Sequence, residues 1–397
     1  MHVCIIGGGA SGMVAAIAAR RNGYDVTLVE KHDRLGKKIL LTGNGRCNYT
    51  NLFTNPNNFN TDFVKPVLDR FSVEKTIAFF NDLGIDVLTE GEGRCYPKSE
   101  QAQSIIDVLL YELNRLGVLI KYQSEVIKIE KKETFLTTLN SGEKIISNYV
   151  IIATGGITYP LTGSTGDGHR FAQAFNHKIT PLLPSLSRLK VKADLRFIHG
   201  VRFSGLIRVF SNDKLIKETN HDIIFSKSGL GGLGILEISK WANQSLYHKH
   251  KTVIDIELTP LTEKDLLKRF TTLNYKTTFD GLIGLINKKL IPSVLRNANI
   301  KEDMLLGELT DNQQTNLINA LKHFQLEVID AFKEEAQVTS GGVDLNDINI
   351  ETLESKLVNG LYFCGEVLDI DGDSGGFNLQ WAFSSGYVCG QLGGQYV

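Results

Sequence analysis

Apolar positions along this chain follow distinct rhythms, and each rhythm predicts a different kind of element. Val3, Cys4, Ile5 and Ile6 form an unbroken apolar run that stops at glycine, as expected of a strand buried on both faces of a parallel sheet. Met13 to Arg21 is alanine-rich and reads as a helix, with cations in its last turn and Gly23 as its stop. Val26 to Val29 gives a second apolar strand that ends on Glu30. Residues 61 to 84 read as helical, and Ser99 to Leu116 more clearly so, because Ile105, Ile106, Val108, Leu109, Leu110, Leu113 and Leu116 make one broad apolar face before Gly117. Between Glu30 and these helices, KHDRLGKKILLTGNGRCNYTN is too polar and broken for a core element, which predicts an exposed loop or ligand-lining turn.

The rhythm changes at Val118. From there to Ala153 short β-rich runs, with a turn at Asn140-Ser141-Gly142, predict a small meander returning to a buried strand, Tyr149 to Ala153. Thr154, Gly155 and Gly156 end that strand, and the turn-rich Pro160 to Gly168 leads to a helix at His169 to Phe175. Pro181 and Pro184 mark a boundary. Beyond it, residues 186 to 260 are mainly strand-like, with one helix around Ile235 to Leu246, and Thr262 to about Leu326 is polar and helical. After Ala336 the turns and apolar runs of the first region return and close on a helix. The arrangement expected is α/β: a discontinuous Rossmann-like domain from residues 1–185 and 335–397, a β-rich insertion over 186–261 and a small helical domain over 262–334.

Composition adds limits. With 42% hydrophobic and 22% charged residues over 397 positions, the chain is an ordinary globular protein large enough for two or three domains. A formal net charge of -1 argues against a nucleic-acid surface as the dominant feature, so no nucleic-acid partner is expected. Five scattered cysteines without a C-x-x-C pair fit a reduced cytoplasmic protein, and neither a metal site nor a membrane span is expected. The apolar N-terminus is not expected to be a signal peptide, because Arg20 and Arg21 follow the apolar part and three glycines interrupt it.

Candidate chemistry concentrates in four glycine-bearing segments. In the first, Gly7, Gly9 and Gly12 fill G-x-G-x-x-G between a strand and a helix: the first permits a tight turn, the second a close pyrophosphate, the third close strand–helix packing. Ser11 lies near the helix start, where free amides favour a diphosphate. Glu30, 23 positions after Gly7, suits the hydroxyls of an adenosine ribose and would repel a 2′-phosphate, which favours NAD or FAD over NADP. The second segment is Leu40 to Asn51, where Gly43 and Gly45 permit unusual backbone angles and Thr42, Asn44, Arg46 and Asn48 offer donors. The third is Thr154-Gly155-Gly156 at a strand's carboxyl end, and the fourth runs from Gly365-Glu366 to Ala382, with Gly375 and Gly376 ahead of a helix starting near Asn378. The acids Glu366, Asp369, Asp371 and Asp373 fail the spacing of a calcium loop. Gly229, Gly231 and Gly234 repeat the G-x-G-x-x-G pattern with Asp255 downstream. That match would be a nicotinamide domain if literal, but barrel-like surroundings favour a turn against the flavin or substrate.

Together GGGASGM, LLTGNGRCNYTN, EGRCYPKS, IIATGG, GSTGDGH, VTSGGV and LYFCGEVLDIDGDSGGFNLQWAFSSG resemble the BaiN-like flavoproteins, also called the YhiN or aminoacetone oxidase family, nearly end to end. GSTGDGH and the GG-x-N-L segment are more distantly similar to the fumarate reductase group. The resemblance implies an FAD-dependent oxidoreductase with a Rossmann-like flavin domain, an inserted β-barrel domain and a small helical domain. It implies that Gly7, Gly9, Gly12 and Glu30 hold the adenosine diphosphate half of FAD, and Gly43, Arg46, Thr154, Gly155, Gly365, Asn378 and Leu379 the remainder. Ser11, Lys31, Lys38, Thr42, Gly45, Cys47, Val126, Gly156, Glu366 and Gly376 complete the expected cofactor-binding set. Relatives tend to carry a Ser-Gly-Pro turn where this chain has Gly231-Gly232-Leu233, which weakens any transfer of substrate preference.

The expected activity is hydride transfer between flavin and a small amine or ketone/enone, with NAD(P)H or oxygen as candidate redox partners. Arg46, Tyr96 and Tyr159 are the candidate substrate contacts, and no catalytic residue is singled out. Cys47 lacks a nearby resolving cysteine and reads as a structural thiol. The alternatives are a flavin-dependent tRNA-modifying enzyme and a non-catalytic flavin-bound scaffold.

Overall fold

A computed structural model describes residues 1–393. The chain divides into two compact units, Met1–Leu183 with Gln337–Val397, and Pro184–Ala336.

The first unit is built on a five-stranded parallel sheet of Rossmann type. Its order is Leu361–Phe363, Tyr149–Ile152, His2–Ile6, Asp25–Val29, Leu119–Lys121. The central strands are buried on both faces, hence their unbroken apolar sequence. Helix Ala10–Arg21 follows the first strand and lies against the last helix, Phe377–Gly390, at very short range. A Cβ on Gly386 would sit 2.3 Å from the Ser11 carbonyl oxygen, and one on Gly390 2.5 Å from that of Ala15. Small residues therefore let two buried helices cross, binding the chain's two ends into one fold.

Three local expectations change. Leu119–Lys121 pairs in parallel with Asp25–Val29 and is a sheet edge, while the meander is confined to Val126–Lys131, Phe135–Leu139 and Lys144–Ser147. The loop after Glu30 ends inside the protein: Cys47, Tyr49 and Thr50 are fully buried. Tyr49 packs edge-on to Phe80, and the Thr50 hydroxyl donates to the Gln380 side chain, so polar residues are buried with partners from distant segments. The helical stretch at 61–84 is two helices, Lys65–Arg70 and Val73–Asp82, with Ser72 capping the second.

The second unit contains a closed six-stranded barrel ordered Leu189–Val191, Gly229–Gly231, Lys214–Ser226, Arg202–Ser211, Thr252–Ile256 and Phe324–Ala331. Ile207, Val209, Ile223, Phe225, Leu230, Ile254 and Ile256 are fully buried within it, and helix Leu233–Tyr247 contributes Ile235 and Ile238 to the same core. Helices Glu263–Thr272, Thr278–Leu282, Ile291–Asn297 and Asp311–Lys322 share that core through Leu266, Leu282, Leu295 and Leu317. Thr262, Thr277 and Thr310 cap three of them by accepting a backbone amide proton three residues on. Phe324–Ala331, at the end of the stretch expected to be helical, is the strand that closes the barrel.

Candidate functional site

The four glycine-bearing segments meet at the carboxyl ends of the parallel strands. A Cβ on Gly7 (φ +105°) would lie 2.5 Å from the Ala153 carbonyl oxygen, joining the first segment to the third. One on Gly365 would lie 2.6 Å from Ser11 Oγ, joining the fourth to the first, and one on Gly376 would lie 2.6 Å from the Thr50 carbonyl oxygen, joining the fourth to the second. Gly12 allows no side chain either, since its Cβ would sit 1.9 Å from the Gly7 carbonyl oxygen. Gly9 differs, because a Cβ there would meet nothing within 4 Å. That backbone is bare, and the helix it precedes has no side-chain cap. Unpaired amides at such a helix start form an anion site.

Glu30 ends the second strand at this loop. Its Oε2 accepts from Gly8 N at 2.9 Å and its Oε1 from His32 N at 2.8 Å. Ser11 is buried against Gly365 and the last helix, where it serves packing.

Around the loop the predicted cations are already paired. Lys31 Nζ lies 2.6 Å from both Thr165 Oγ1 and Asp167 Oδ2. Burial opposes ionisation of Asp167, but hydrogen bonds from Lys31 and Thr165 outweigh it and hold the carboxyl below its usual range. Lys38 Nζ donates to Thr158 Oγ1 at 2.8 Å and Glu366 Oε2 at 2.7 Å. Glu366 Oε1 also accepts from Thr339 N at 2.6 Å and Thr158 Oγ1 at 3.1 Å. Glu366 is thus a clasp between three segments, and Gly156 is glycine because a Cβ would lie 2.1 Å from Thr339 Oγ1. Sequence spacing gave no hint of Thr158, Thr339 or Asp167, because each contact joins positions far apart in the chain.

The second segment supplies a strained loop. Thr42 Oγ1 donates to the Ile39 carbonyl at 2.7 Å, and Gly43, Asn44, Gly45 and Cys47 all have positive φ, a cost that non-glycine residues bear mainly at functional turns. Arg46 pairs with Glu90 and Glu100, and its guanidinium lies 4.2 Å from the Tyr96 ring centroid. These two predicted substrate contacts therefore touch each other. Tyr159, the third, sits at φ +54° ahead of Pro160. Burial pushes the Cys47 thiol up to about 12, so it stays protonated and unreactive at neutral pH. Val126 is buried at the start of the meander, opposite Leu139. Asn378 holds the turn before the last helix, accepting from Gly372 N and donating to the Gly372 carbonyl, while Leu379 packs on the core.

Several buried polar atoms here have no hydrogen-bond partner: Arg46 Nε, Asn48 Oδ1, Tyr49 Oη, Thr154 Oγ1 and both ring nitrogens of His169. Leaving such an atom unpaired costs about 1–3 kcal/mol. Arg46, Asn48 and Thr154 belong to the segments that converge, so an oxygen- and nitrogen-rich ligand fits where a purely apolar one would not. Among the described residues, no group of three or more His, Cys, Asp or Glu could hold a metal, and no helix is long and apolar enough to cross a membrane. The second G-x-G-x-x-G is resolved by topology: Gly229–Gly231 is an antiparallel barrel strand, and Asp255 is a buried partner of Arg208. No parallel βαβ unit exists there to hold a dinucleotide.

Comparison with known proteins gives a consistent picture. The family model described as "HI0933-like protein Rossmann domain" matches residues 1–392. A 3-dehydro-bile acid delta(4,6)-reductase from Clostridium scindens is 35% identical over 98% of this chain and 98% of its own length. A ribosomal RNA dihydrouridine synthase from Escherichia coli is 31% identical over 98% of this chain and 96% of its own. The solved structure of a 3-ketosteroid-delta4-(5alpha)-dehydrogenase from Rhodococcus jostii RHA1 shares the fold, with a TM-score of 0.50 at 13% identity over 99% of this chain and 95% of that one.

Proposed function

The chain belongs to the HI0933-like family of Rossmann-type, FAD-dependent oxidoreductases, and from that premise we propose that it reduces a carbon–carbon double bond conjugated to a carbonyl. The observation that carries this reading is common to two end-to-end relatives. A 3-oxo steroid unsaturated at positions 4 and 6 and a uracil ring both present an alkene polarised by a neighbouring carbonyl, and a hydride acceptor of that type accounts for both names.

FAD, when bound, supplies the hydride chemistry. In this proposal the chain's residues bind and orient. The bare Gly9 backbone and the free amides of helix Ala10–Arg21 hold the diphosphate, and Glu30 turns from Gly8 to the ribose. Gly43, Gly45, Thr154, Gly155 and Gly376 let main chain approach the ligand, and the orphaned Thr154 Oγ1 and Asn48 Oδ1 gain partners. The unpaired Arg46 Nε donates to the flavin edge or to the substrate carbonyl, with Tyr96 fixing the guanidinium plane. The Lys38–Glu366 clasp orders the third and fourth segments without touching substrate.

The test is anaerobic. Protein reduced with NADH or NADPH is mixed separately with a 4-en-3-oxo steroid, a uridine-containing RNA and, as a control, buffer. Return of the oxidised flavin spectrum with a product heavier by two hydrogens supports the reading. If aminoacetone bleaches the oxidised flavin and neither unsaturated compound restores it, the enzyme is an amine oxidase and the proposal fails.

A further inference from the structure

The motif EGRCYPKS, residues 92–99, is flanked by Glu90 and Glu100, and both acids converge on Arg46. A small antiparallel sheet brings them together, its strands ordered Thr50–Asn51, Arg94–Pro97, Val87–Thr89. Arg46 leads into Thr50–Asn51, Glu90 follows Val87–Thr89 and Glu100 follows Arg94–Pro97. Glu90 grips the far end of the guanidinium, with Arg46 Nη1 donating to Glu90 Oε2 at 3.2 Å and Nη2 to Glu90 Oε1 at 2.5 Å. Glu100 Oε2 lies 2.9 Å from the same Nη2, on a residue held in the left-handed region at φ +54°. The Tyr96 ring centroid is 4.2 Å from the guanidinium carbon. The group is therefore fixed in plane and at one end, while its buried Nε keeps an unpaired N–H.

Two carboxylates on one guanidinium leave the group with a formal surplus of negative charge. Hydrogen bonds from Arg46 hold the Glu90 carboxyl below its usual range, so it is ionised at neutral pH. Arg94, the other cation acting on Glu90, is itself paired with Glu92. An arginine that neutralised a phosphate would not be cancelled twice, and one that only tied down its loop would not bury an unpaired Nε. What remains is a directional donor without net charge, which suits a neutral carbonyl oxygen and disfavours an anion. We propose that Arg46 Nε donates to a neutral carbonyl oxygen, of the flavin or of the substrate, and that Glu90 and Glu100 are positioning residues that aim it and set this preference. The inference rests on the flavin site of the proposed function, and its test reads binding, so it stands or falls apart from whether a conjugated alkene is reduced.

The experiment compares the flavin-loaded wild type with the double variant Glu90→Gln, Glu100→Gln through two affinities. Sulfite adds to N5 of oxidised flavin and leaves negative charge on the pyrimidine ring, so its dissociation constant, read from bleaching of the flavin band, reports charge at the flavin edge. Methyl cinnamate and cinnamate, read from perturbation of the same band, compare a neutral carbonyl with a carboxylate of nearly the same shape. Loss of both acids is expected to tighten sulfite about tenfold where the donor faces flavin, or to move the ester-to-acid affinity ratio about tenfold toward the acid where it faces substrate. Either shift supports the proposal. Glu100→Gln alone, at the more exposed acid, should move the same quantity by less. Glu92→Gln removes a neighbouring charge that pairs with Arg94 instead, and should move neither. If both quantities stay at wild-type values in the double variant, or Glu92→Gln moves them equally, the proposal fails. A shift in a protein that reduces no conjugated alkene would keep this role for the two acids and remove the reductase reading.

Discussion

The unit built from both chain ends and the barrel unit bury polar groups in opposite ways. In the barrel, the buried carboxylate of Asp255 is matched on every side: Arg208 Nη1 at 3.0 Å, Gln325 Nε2 at 3.1 Å and His323 Nδ1 at 3.1 Å. In the other unit Arg46, Asn48, Thr154 and His169 keep buried polar atoms unpaired, and among the described residues no such atom belongs to the barrel unit. Backbone strain does not divide this way: Gly7, Gly43, Gly45, Gly155, Gly365 and Gly376 have positive φ along the converging segments, but Leu186, Asn212, Asp213, Lys249 and Asn299 have it in the barrel unit. The barrel is complete by itself; the other fold has reserved polar atoms and open backbone for something it binds.

The strongest way to break this contrast is a pair of glycine substitutions. Gly12→Ala places a methyl 1.9 Å from a carbonyl oxygen and is expected to cost about 5 kcal/mol or prevent folding. Gly9→Ala meets nothing within 4 Å at φ -80°, so its melting temperature without flavin should match wild type while flavin retention is lost. Absorbance of the purified variants checks both, and a Gly9→Ala protein that keeps its flavin would remove Gly9 from the site.

Next in size is Phe225→Ala in the barrel core, expected to cost about 4 kcal/mol by leaving a cavity. The two tryptophans make this readable, because Trp241 lies in the barrel unit and Trp381 in the other. In a Trp381→Phe background, denaturation followed by Trp241 emission should shift to lower denaturant; an unshifted midpoint would mean that the barrel core is not a cooperative unit.

Glu366→Gln sharpens the comparison within the first unit. The amide keeps the shape but replaces one carboxylate oxygen by an NH2 donor; with its oxygen kept towards the Thr158 and Thr339 donors, it loses the charge and the acceptor that face Lys38, an expected loss of about 2 kcal/mol. If Glu366 contacted cofactor and not the clasp, flavin affinity would fall with no change in the stability of the flavin-free protein.

What was legible beforehand follows the same division. Strand, glycines, helix, second strand and Glu30 occupy adjacent positions, so local pattern suffices to place them. The closing strand Phe324–Ala331 alternates buried and exposed residues from Phe324 to Ile329, a period-two signal that a preceding helical run concealed. The glycine pattern at Gly229 matched residue by residue yet sits in antiparallel strands, because a motif carries no information about its sheet. The clasp of Lys38, Thr158, Thr339 and Glu366 was invisible for a different reason: its members span over three hundred positions and obey no spacing.

The smallest expected effect concerns His169, beside Thr154 and Glu366 in the chain's converging region. Burial, the dominant cause, holds its pKa below the ordinary value, while the Glu366 charge acts the other way. A histidine that resists protonation when folded stabilises the protein fully above its unfolded pKa of about 6.5, and that contribution drains away as pH falls toward the lowered folded value. Flavin-free protein should therefore lose stability between pH 7 and pH 5 that His169→Phe, a ring of similar size without titrating nitrogens, does not lose. Parallel stability profiles for the two proteins over this interval would show that His169 ionises freely when folded, and its unpaired nitrogens would then mark accessible water in place of a site awaiting a ligand.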